Sequence, residues 1–435
     1  MDTKDLLKTQ LVTDFNQNIT SQKDSVLYDV RKKAFETFEN LSFPTTKHEE
    51  WKYSNVKNLI NQNFTFSSKN NFTEKSLDVF EIPNLEGNIL YFINGIYNEN
   101  LSKIVSPASE ITIMKLSDAT VKFPELVSSH FNTYNDNTIN AFSALNTALA
   151  SEGVFVHVPE NSFVVQPIIV RYITDSNSEN VGFNNRNLII VEKNAELQIA
   201  ESFRSIGENS VFTNIITEFY VKDSAKVHYY KVQNESNNSF HIGTTNVVQK
   251  DHSVFSANTV TANGGFVRNN LNIKIDGEFA EANMFGLYIP DEKQHIDNHT
   301  VVDHAKPNSN SNEFYKGILN GNSTGVFNGK IFVREDAQKT NAFQSCKNVL
   351  ASENASMNTK PQLEIWADDV KCSHGTTTGQ LNEDALFYLQ SRGISKESAK
   401  SLLMLAFTQD VIDKMEIPAI KEYLQTLVAE KIQGL

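Results

Sequence analysis

The stretch Val191-Glu192-Lys193-Asn194-Ala195-Glu196-Leu197 carries the pattern that decides the fold. An apolar residue ends a β-rich run, polar residues follow, and a small residue enters the next run. The same theme recurs at residues 221–227, 333–339 and 350–357. The small residues Ala195 and Ala225 are 30 residues apart, whereas Ala337 and Ala355 are 18 apart. The repeat is therefore irregular, and a strict repeat protein is not indicated.

Short β-rich runs follow one another from residue 153 to residue 378, and no long helical period separates them. The clearest runs are 154–158, 166–173, 188–191, 215–221, 225–232 and 326–333. Many short strands joined by Asn- and Asp-containing turns are typical of a β-helix, in which each coil buries the inward side chains of the next. We therefore predict a parallel β-helix core, with a β-sandwich as the alternative.

Helical patterns flank this region on both sides. Residues 24–41 repeat apolar side chains at a spacing of four, and residues 382–435 contain three helical segments. Asparagine has the same distribution: of 50 in the chain, only Asn382 follows Asn358. Because Asn favours turns over helices, the middle should be rich in turns and the end helical. We predict a mainly β protein divided into an N-terminal helical and mixed region (1–145), a β-helix core (146–380) and a C-terminal helical domain (381–435).

Composition excludes several classes of function. The 435 residues carry 39 Lys and Arg against 52 Asp and Glu, a net charge of −13. This balance argues against binding to nucleic acid or an anionic membrane, which requires clustered positive charge. No apolar run approaches the ~18–20 residues of a membrane span. Two cysteines, Cys346 and Cys372, cannot supply a four-thiolate site. We expect a soluble cytoplasmic protein.

The densest group of metal-capable side chains lies between His295 and His304, which includes three of the ten histidines. Side chains alternate along a strand, so His295, Asp297 and His299 should share one face. Two imidazoles and a carboxylate could bind a divalent ion. His295, His299 and His304 are therefore weak metal-ligand candidates. The alternative is a polar β surface with hydrogen-bonded histidines.

A second group places Cys372 two residues before His374, so a strand would direct both side chains to one face. Thiolate and imidazole suit soft metals and iron–sulfur centres, but two ligands cannot complete a site. Another chain or segment would have to supply the rest. A catalytic Cys–His pair, or simply a Cys and a His at the end of a strand, are the alternatives. The chain also lacks a GxxxxGK[ST] phosphate loop, so an ATP-driven role would need a separate ATPase.

The longest recognisable stretch covers residues 358–376 and continues through 379–394. Together with 295–304, 315–319 and Glu49-Glu50-Trp51-Lys52-Tyr53, it resembles the SufB/SufD family of iron–sulfur cluster assembly scaffolds in the SUF system. SufB-like scaffolds carry a cysteine in the segment that corresponds to 352–358. That segment has no thiol here, so the resemblance is to the SufD branch.

The resemblance implies a right-handed parallel β-helix in a scaffold subunit that is not itself an enzyme. It implies pairing with a SufB-like paralogue, a separate SufC-like ATPase, and a transient Fe–S cluster or iron, with no cofactor held tightly by the isolated chain. His374 is implied in the nascent cluster site, and Cys372 lies beside it with a less defined role. The ATPase would dock on the C-terminal helices, where the candidates are Leu386, Leu389, Leu402, Leu403 and Phe407.

Two other functions remain open from the residues themselves. A homodimeric β-helix protein could store metal through the 295–304 histidines. A β-helix enzyme acting on carbohydrate would need a pair of catalytic carboxylates, and no convincing pair is visible in the sequence.

Overall fold

The computed structural model describes residues 6–18, 25–66, 80–134, 140–150 and 152–435. The parts of the predicted helical and mixed regions that fall on 1–5, 19–24, 67–79 and 135–139 lie outside these residues. Within the described ranges, no helix is both long and apolar enough to cross a membrane.

Helices occupy the two ends of the chain and strands occupy the middle. The helices are α1 (Leu6–Asn18), α2 (Tyr28–Asn40), α3 (Lys57–Ile60), α4 (Leu116–Lys122), α5 (Pro124–His130), α6 (Ala141–Leu149), α7 (Glu383–Ser391), α8 (Lys396–Ile412) and α9 (Pro418–Gln433), with a 3₁₀ turn at Glu49–Trp51. The strands are β1 (Thr65–Phe66), β2 (Asn88–Ile93), β3 (Ile96–Lys103), β4 (Thr112–Lys115), β5 (Val154–Val158), β6 (Ile168–Asp175), β7 (Val181–Val191), β8 (Glu196–Ile206), β9 (Val211–Val221), β10 (Lys226–Asn234), β11 (Ser239–Gln249), β12 (Val254–Asn263), β13 (Phe266–Ile275), β14 (Glu281–Tyr288), β15 (His295–His304), β16 (Asn310–Leu319), β17 (Thr324–Val333), β18 (Asn341–Leu350), β19 (Ser356–Ile365) and β20 (Lys371–Gly379).

Consecutive strands alternate between two sheets, which we call sheet A and sheet B. Sheet A runs β4-β5-β7-β9-β11-β13-β15-β17-β19, with β1 beside β7, and sheet B runs β3-β2-β6-β8-β10-β12-β14-β16-β18-β20. From β5 and β6 onward every neighbouring pair is parallel, so each coil gives one strand to each sheet, and about eight coils result. The predicted parallel β-helix is confirmed and the sandwich alternative is wrong.

The turns at residues 191–197 and 221–227 have the conformation that their sequences indicate. Asn194 and Ser224 adopt the left-handed conformation, with φ of 56° and 58°, which Asn tolerates better than most residues. The amide of Asn194 donates to the Asp223 carbonyl of the next coil at 3.0 Å. Ala195 and Ala225 follow these residues and are buried, so a small side chain begins each inward-facing run.

Helices cover the outer faces of both sheets. Trp51, α2 and α6 pack on sheet A through a shared cluster that includes Phe212 of β9. Helices α8 and α9 pack on sheet B through a cluster that includes Ile318 of β16. Because these cores join helices to coils, the structure shows no simple break at residues 145 or 380, and the division into three regions stays a prediction.

Candidate functional site at the open end of the solenoid

The two ends of the solenoid differ. At the N-terminal end the strands β3 and β4 run antiparallel to their neighbours and terminate the coil. At the C-terminal end β19 pairs with β17 and β20 pairs with β18, and among the described strands neither has a neighbour on its other side. The lumen, meaning the space between the two sheets, is therefore open at this end.

Strand β20 places the side chains of Cys372, His374 and Thr376 toward the lumen. Cys372 pairs in register with Ala342 and packs against the lumen core. Burial raises the pKa of the Cys372 thiol above its usual value. His374 is exposed at the rim, and a side chain at the neighbouring Gly375 would meet no atom within 4 Å. The two sequence-predicted residues thus lie on one face of the last strand.

Strand β19 supplies the opposite side of this rim. Met357 and Leu363 pack against the lumen core, and Thr359 Oγ1 lies 3.5 Å from Thr376 Oγ1 of β20. Thiol, imidazole and thioether groups favour soft or borderline metals. No group of three or more His, Cys, Asp or Glu side chains placed to hold a metal occurs in the part of the chain that the structure describes. The rim is therefore at most part of a metal site.

A polar layer lies one to two coils below the rim. The side chain of Gln344 donates from Nε2 to Glu313 Oε2 at 2.6 Å, and both residues are buried. Burial raises the pKa of Glu313 to about 7. Burial also raises the pKa of the Cys346 thiol to about 12, so we expect Cys346 to be unreactive inside the lumen. Sequence reasoning missed Glu313 and Gln344.

The 295–304 histidines do not converge on one site. His295 and His299 lie on the outer face of sheet A with Asp297, as strand alternation predicts. His304 faces inward instead, with Nε2 2.8 Å from Ser311 Oγ, and burial lowers its pKa to about 4. The structure therefore separates His304 from the other two histidines.

The outer histidines take part in a clasp that binds the N-terminal segment to sheet A. Arg268 donates from Nη1 to Asp297 Oδ2 at 2.8 Å and to the Glu50 carbonyl at 2.7 Å, and its guanidinium lies 3.9 Å from the Trp51 ring centre. His299 Nε2 lies 2.9 Å from Asp297 Oδ1. Burial alone would raise the pKa of Asp297, but the charges of His299 and Arg268 hold it well below its usual range. The polar side chains of the clasp are therefore accounted for by their hydrogen bonds and ion pairs with one another.

The predicted docking residues of the C-terminal helices have unequal exposure. Leu402 is 48 % exposed, and Leu386, Leu389 and Leu403 are half-buried. Phe407 turns toward the solenoid, where the Lys316 ammonium lies 4.6 Å from its ring centre.

The largest exposed apolar side chains of this region are two that sequence reasoning omitted. Phe387 is 75 % exposed and Tyr388 is 56 % exposed, and α7 buries none of its residues. The run Leu386-Phe387-Tyr388-Leu389 could have signalled this surface, because four consecutive apolar residues cannot all face inward from one helix.

Comparison with known proteins gives a consistent picture. The family model for the SufBD core domain of SUF system FeS cluster assembly matches residues 172–407, and the SufBD N-terminal region matches residues 4–170. An iron–sulfur cluster assembly SufBD family protein of Synechocystis sp. is 30 % identical over 94 % of this chain and 92 % of its own length.

Two further relatives are named SufD. The iron–sulfur cluster assembly protein SufD of Escherichia coli is 27 % identical over 90 % of both chains, and that of Bacillus subtilis is 25 % identical over 95 % of both chains. The predicted resemblance is confirmed. The chain belongs to the SufBD family of the SUF system for iron–sulfur cluster assembly.

Proposed function

We propose that this chain is a cytoplasmic scaffold subunit of the SUF complex that does not hydrolyse ATP. It pairs with a SufB-like paralogue at the open end of the solenoid, and a SufC-like ATPase drives the complex. The observation that carries this proposal is the incomplete ligand set at that end, where Cys372 and His374 share one face. A nascent Fe–S cluster is the cargo, and the chain alone holds no cofactor tightly.

Pairing at the open end follows from the edges of β19 and β20. Each edge presents unpaired backbone N–H and C=O groups, which readily bind a strand of another chain. β20 is exposed over most of its length, and its inward positions at His374 and Thr376 are polar. A paralogue that adds its own last coil here would satisfy these groups and bring its own ligands to His374.

Docking of the ATPase follows from the surface around α7. Phe387 and Tyr388 are exposed apolar side chains on α7, and Leu402 is exposed on α8, whose opposite face packs on sheet B. Large aromatic side chains of this kind dominate the binding energy of protein interfaces. The sequence contains no phosphate loop, which supports the proposal that a partner hydrolyses ATP.

The test is a reconstituted complex that carries His374→Ala. We expect co-purification with the paralogue and the ATPase to persist, and iron and acid-labile sulfide per complex to fall at least about tenfold, in line with loss of a metal ligand. Ser373→Ala is the matched control, because Ser373 precedes His374 on β20 and faces the other way. An unchanged cluster yield in His374→Ala would refute the site, and failure to bind either partner would refute the function.

A further inference from the structure

Gln344 lies directly beneath His374 in the solenoid. The strands pair in register so that Glu313 of β16 is followed by Gln344 of β18 and then by His374 of β20. Neighbouring parallel strands are about 4.8 Å apart, and side chains in register stack on the same face. Glu313, Gln344 and His374 thus form an inward column that ends at the rim.

The orientation of the Gln344 amide is fixed from two sides. Its Nε2 donates to Glu313 Oε2 at 2.6 Å. On the facing sheet, a methyl group at Gly329 would lie only 2.1 Å from the same nitrogen, so the amide occupies space that a glycine leaves free. One N–H of the amide is donated to Glu313, and Oε1 is the only acceptor of the amide.

That oxygen is buried and has no hydrogen-bond partner among the described residues, although Gln344 is only 3 % exposed. A buried acceptor without a donor is costly and calls for an explanation. The next group along the column is the His374 imidazole, which carries an N–H in every protonation state. A histidine that binds a metal through one ring nitrogen almost always donates its other N–H to an acceptor that fixes the ring.

We propose that Glu313 and Gln344 position His374 for the nascent cluster. Glu313 holds the Gln344 amide, and in the assembled complex Gln344 Oε1 accepts a hydrogen bond from one nitrogen of the His374 ring, a contact that the isolated chain does not make. The lone pair of the other nitrogen then points out of the lumen toward the metal. Glu313 and Gln344 are positioning residues, and their role rests on the proposed function of His374.

The test uses the complex of this chain with the paralogous scaffold and the ATPase, with ¹⁵N-histidine in this chain alone. The ring resonances of His374 are those absent from His374→Ala, and their nitrogen shifts report the balance of the two neutral tautomers. We expect one tautomer to dominate in the wild type and both to be populated in Gln344→Leu. The apparent dissociation constant for ferrous iron should rise about tenfold in Gln344→Leu.

A pair of variants separates positioning from simple packing. Glu313→Leu removes the acceptor for Gln344 and should behave like Gln344→Leu. Glu313→Gln keeps an oxygen acceptor and should retain the wild-type tautomer and iron affinity. Thr261→Val is the structural control, because it deletes another buried lumen hydrogen bond, from Thr261 Oγ1 to Gln233 Oε1 at 2.7 Å.

The outcomes distinguish the proposed positioning of His374 by Glu313 and Gln344, which we call the relay, from the function on which it rests. If His374→Ala binds iron as the wild type does, the proposed function fails. If His374→Ala loses iron but Gln344→Leu and Glu313→Leu keep the wild-type tautomer balance and affinity, only the relay is overturned. Should Gln344→Leu fail to assemble, the comparison of Glu313→Leu with Glu313→Gln decides, and equal behaviour of those two also overturns the relay.

Discussion

Replacing Glu313 by Gln should change how the stability of the solenoid depends on pH. Glu313 is only 1 % exposed, and burial raises the pKa of its carboxyl group from 4.5 to about 7. Between these two values the folded chain keeps a proton that the unfolded chain has lost. The contribution of the Glu313 carboxyl group to stability is therefore fully present below pH 4.5 and decreases as the pH rises to about 7. The 2.5-unit difference corresponds to about 3 kcal/mol of unfolding free energy.

Gln cannot ionise, yet its amide oxygen can still accept the hydrogen bond from Gln344. We expect Glu313→Gln to gain about 3 kcal/mol relative to the wild type between pH 4.5 and pH 8, at about 1.4 kcal/mol per pH unit in the steep part. His304 acts in the opposite direction, because its pKa is lowered to about 4 and its contribution is lost as the pH falls below 6.5. Both chains retain His304, so its effect cancels in the difference.

The measurement is urea-induced unfolding of both chains at matched pH values, followed by the circular dichroism of the β-sheet. The quantity of interest is the difference between the unfolding free energies of variant and wild type at each pH. A constant difference from pH 4.5 to pH 8 would show that Glu313 is not protonated in the folded chain and would refute the reasoning. A difference that moves in favour of the wild type as the pH rises would refute it more strongly.

The remaining predictions concern the thiols, the N-terminal clasp and the docking surface. Alkylation of the native chain should modify Cys372 and spare Cys346, whose thiol is buried with a pKa of about 12, and peptide mass spectrometry that finds both modified would contradict this. Arg268→Ala should cost about 3 kcal/mol, the lower end for a broken buried ion pair, because Asp297 keeps only His299 as an ion-pair partner. Arg334→Ala, which removes a surface ion pair, should cost about 1 kcal/mol or less when both variants are compared by urea-induced unfolding, and equal costs for the two variants would contradict this prediction. Phe387→Ala should weaken ATPase binding at least about tenfold without affecting the paralogue, as co-elution at graded concentrations will show.

The sequence indicated the strands of the core better than their lengths. The runs 188–191 and 215–221 mark only the apolar halves of β7 and β9, which begin at Val181 and Val211. The missing half of β7 includes Asn184 to Asn187, which are polar and outside the predicted run but are buried in the structure. Asn187, for example, donates to Glu201 in the lumen at 2.8 Å. Alternation of apolar and polar residues cannot distinguish a buried polar partner from a solvent-exposed one.

The rim residues could be predicted from the sequence, whereas the polar layer beneath them could not. Cys372 and His374 are two residues apart, so local strand geometry alone puts them on one face. Glu313 and Gln344 are 31 residues apart. Their contact depends on how successive coils align in register, and irregular turn lengths leave that alignment undetermined in a single sequence.

The difference between the two ends of the solenoid also limits how many chains can join. A parallel stack with two open ends could add subunits head to tail without limit and form a fibre. Here the N-terminal end finishes in strands of reversed direction, of which β4 has only four residues and β3 carries Glu99 and Lys103 along its length. Short and charged edge strands resist further pairing. Under the proposed function, we therefore expect association through strand edges to stop after one partner, so that the open end acts as a monovalent connector.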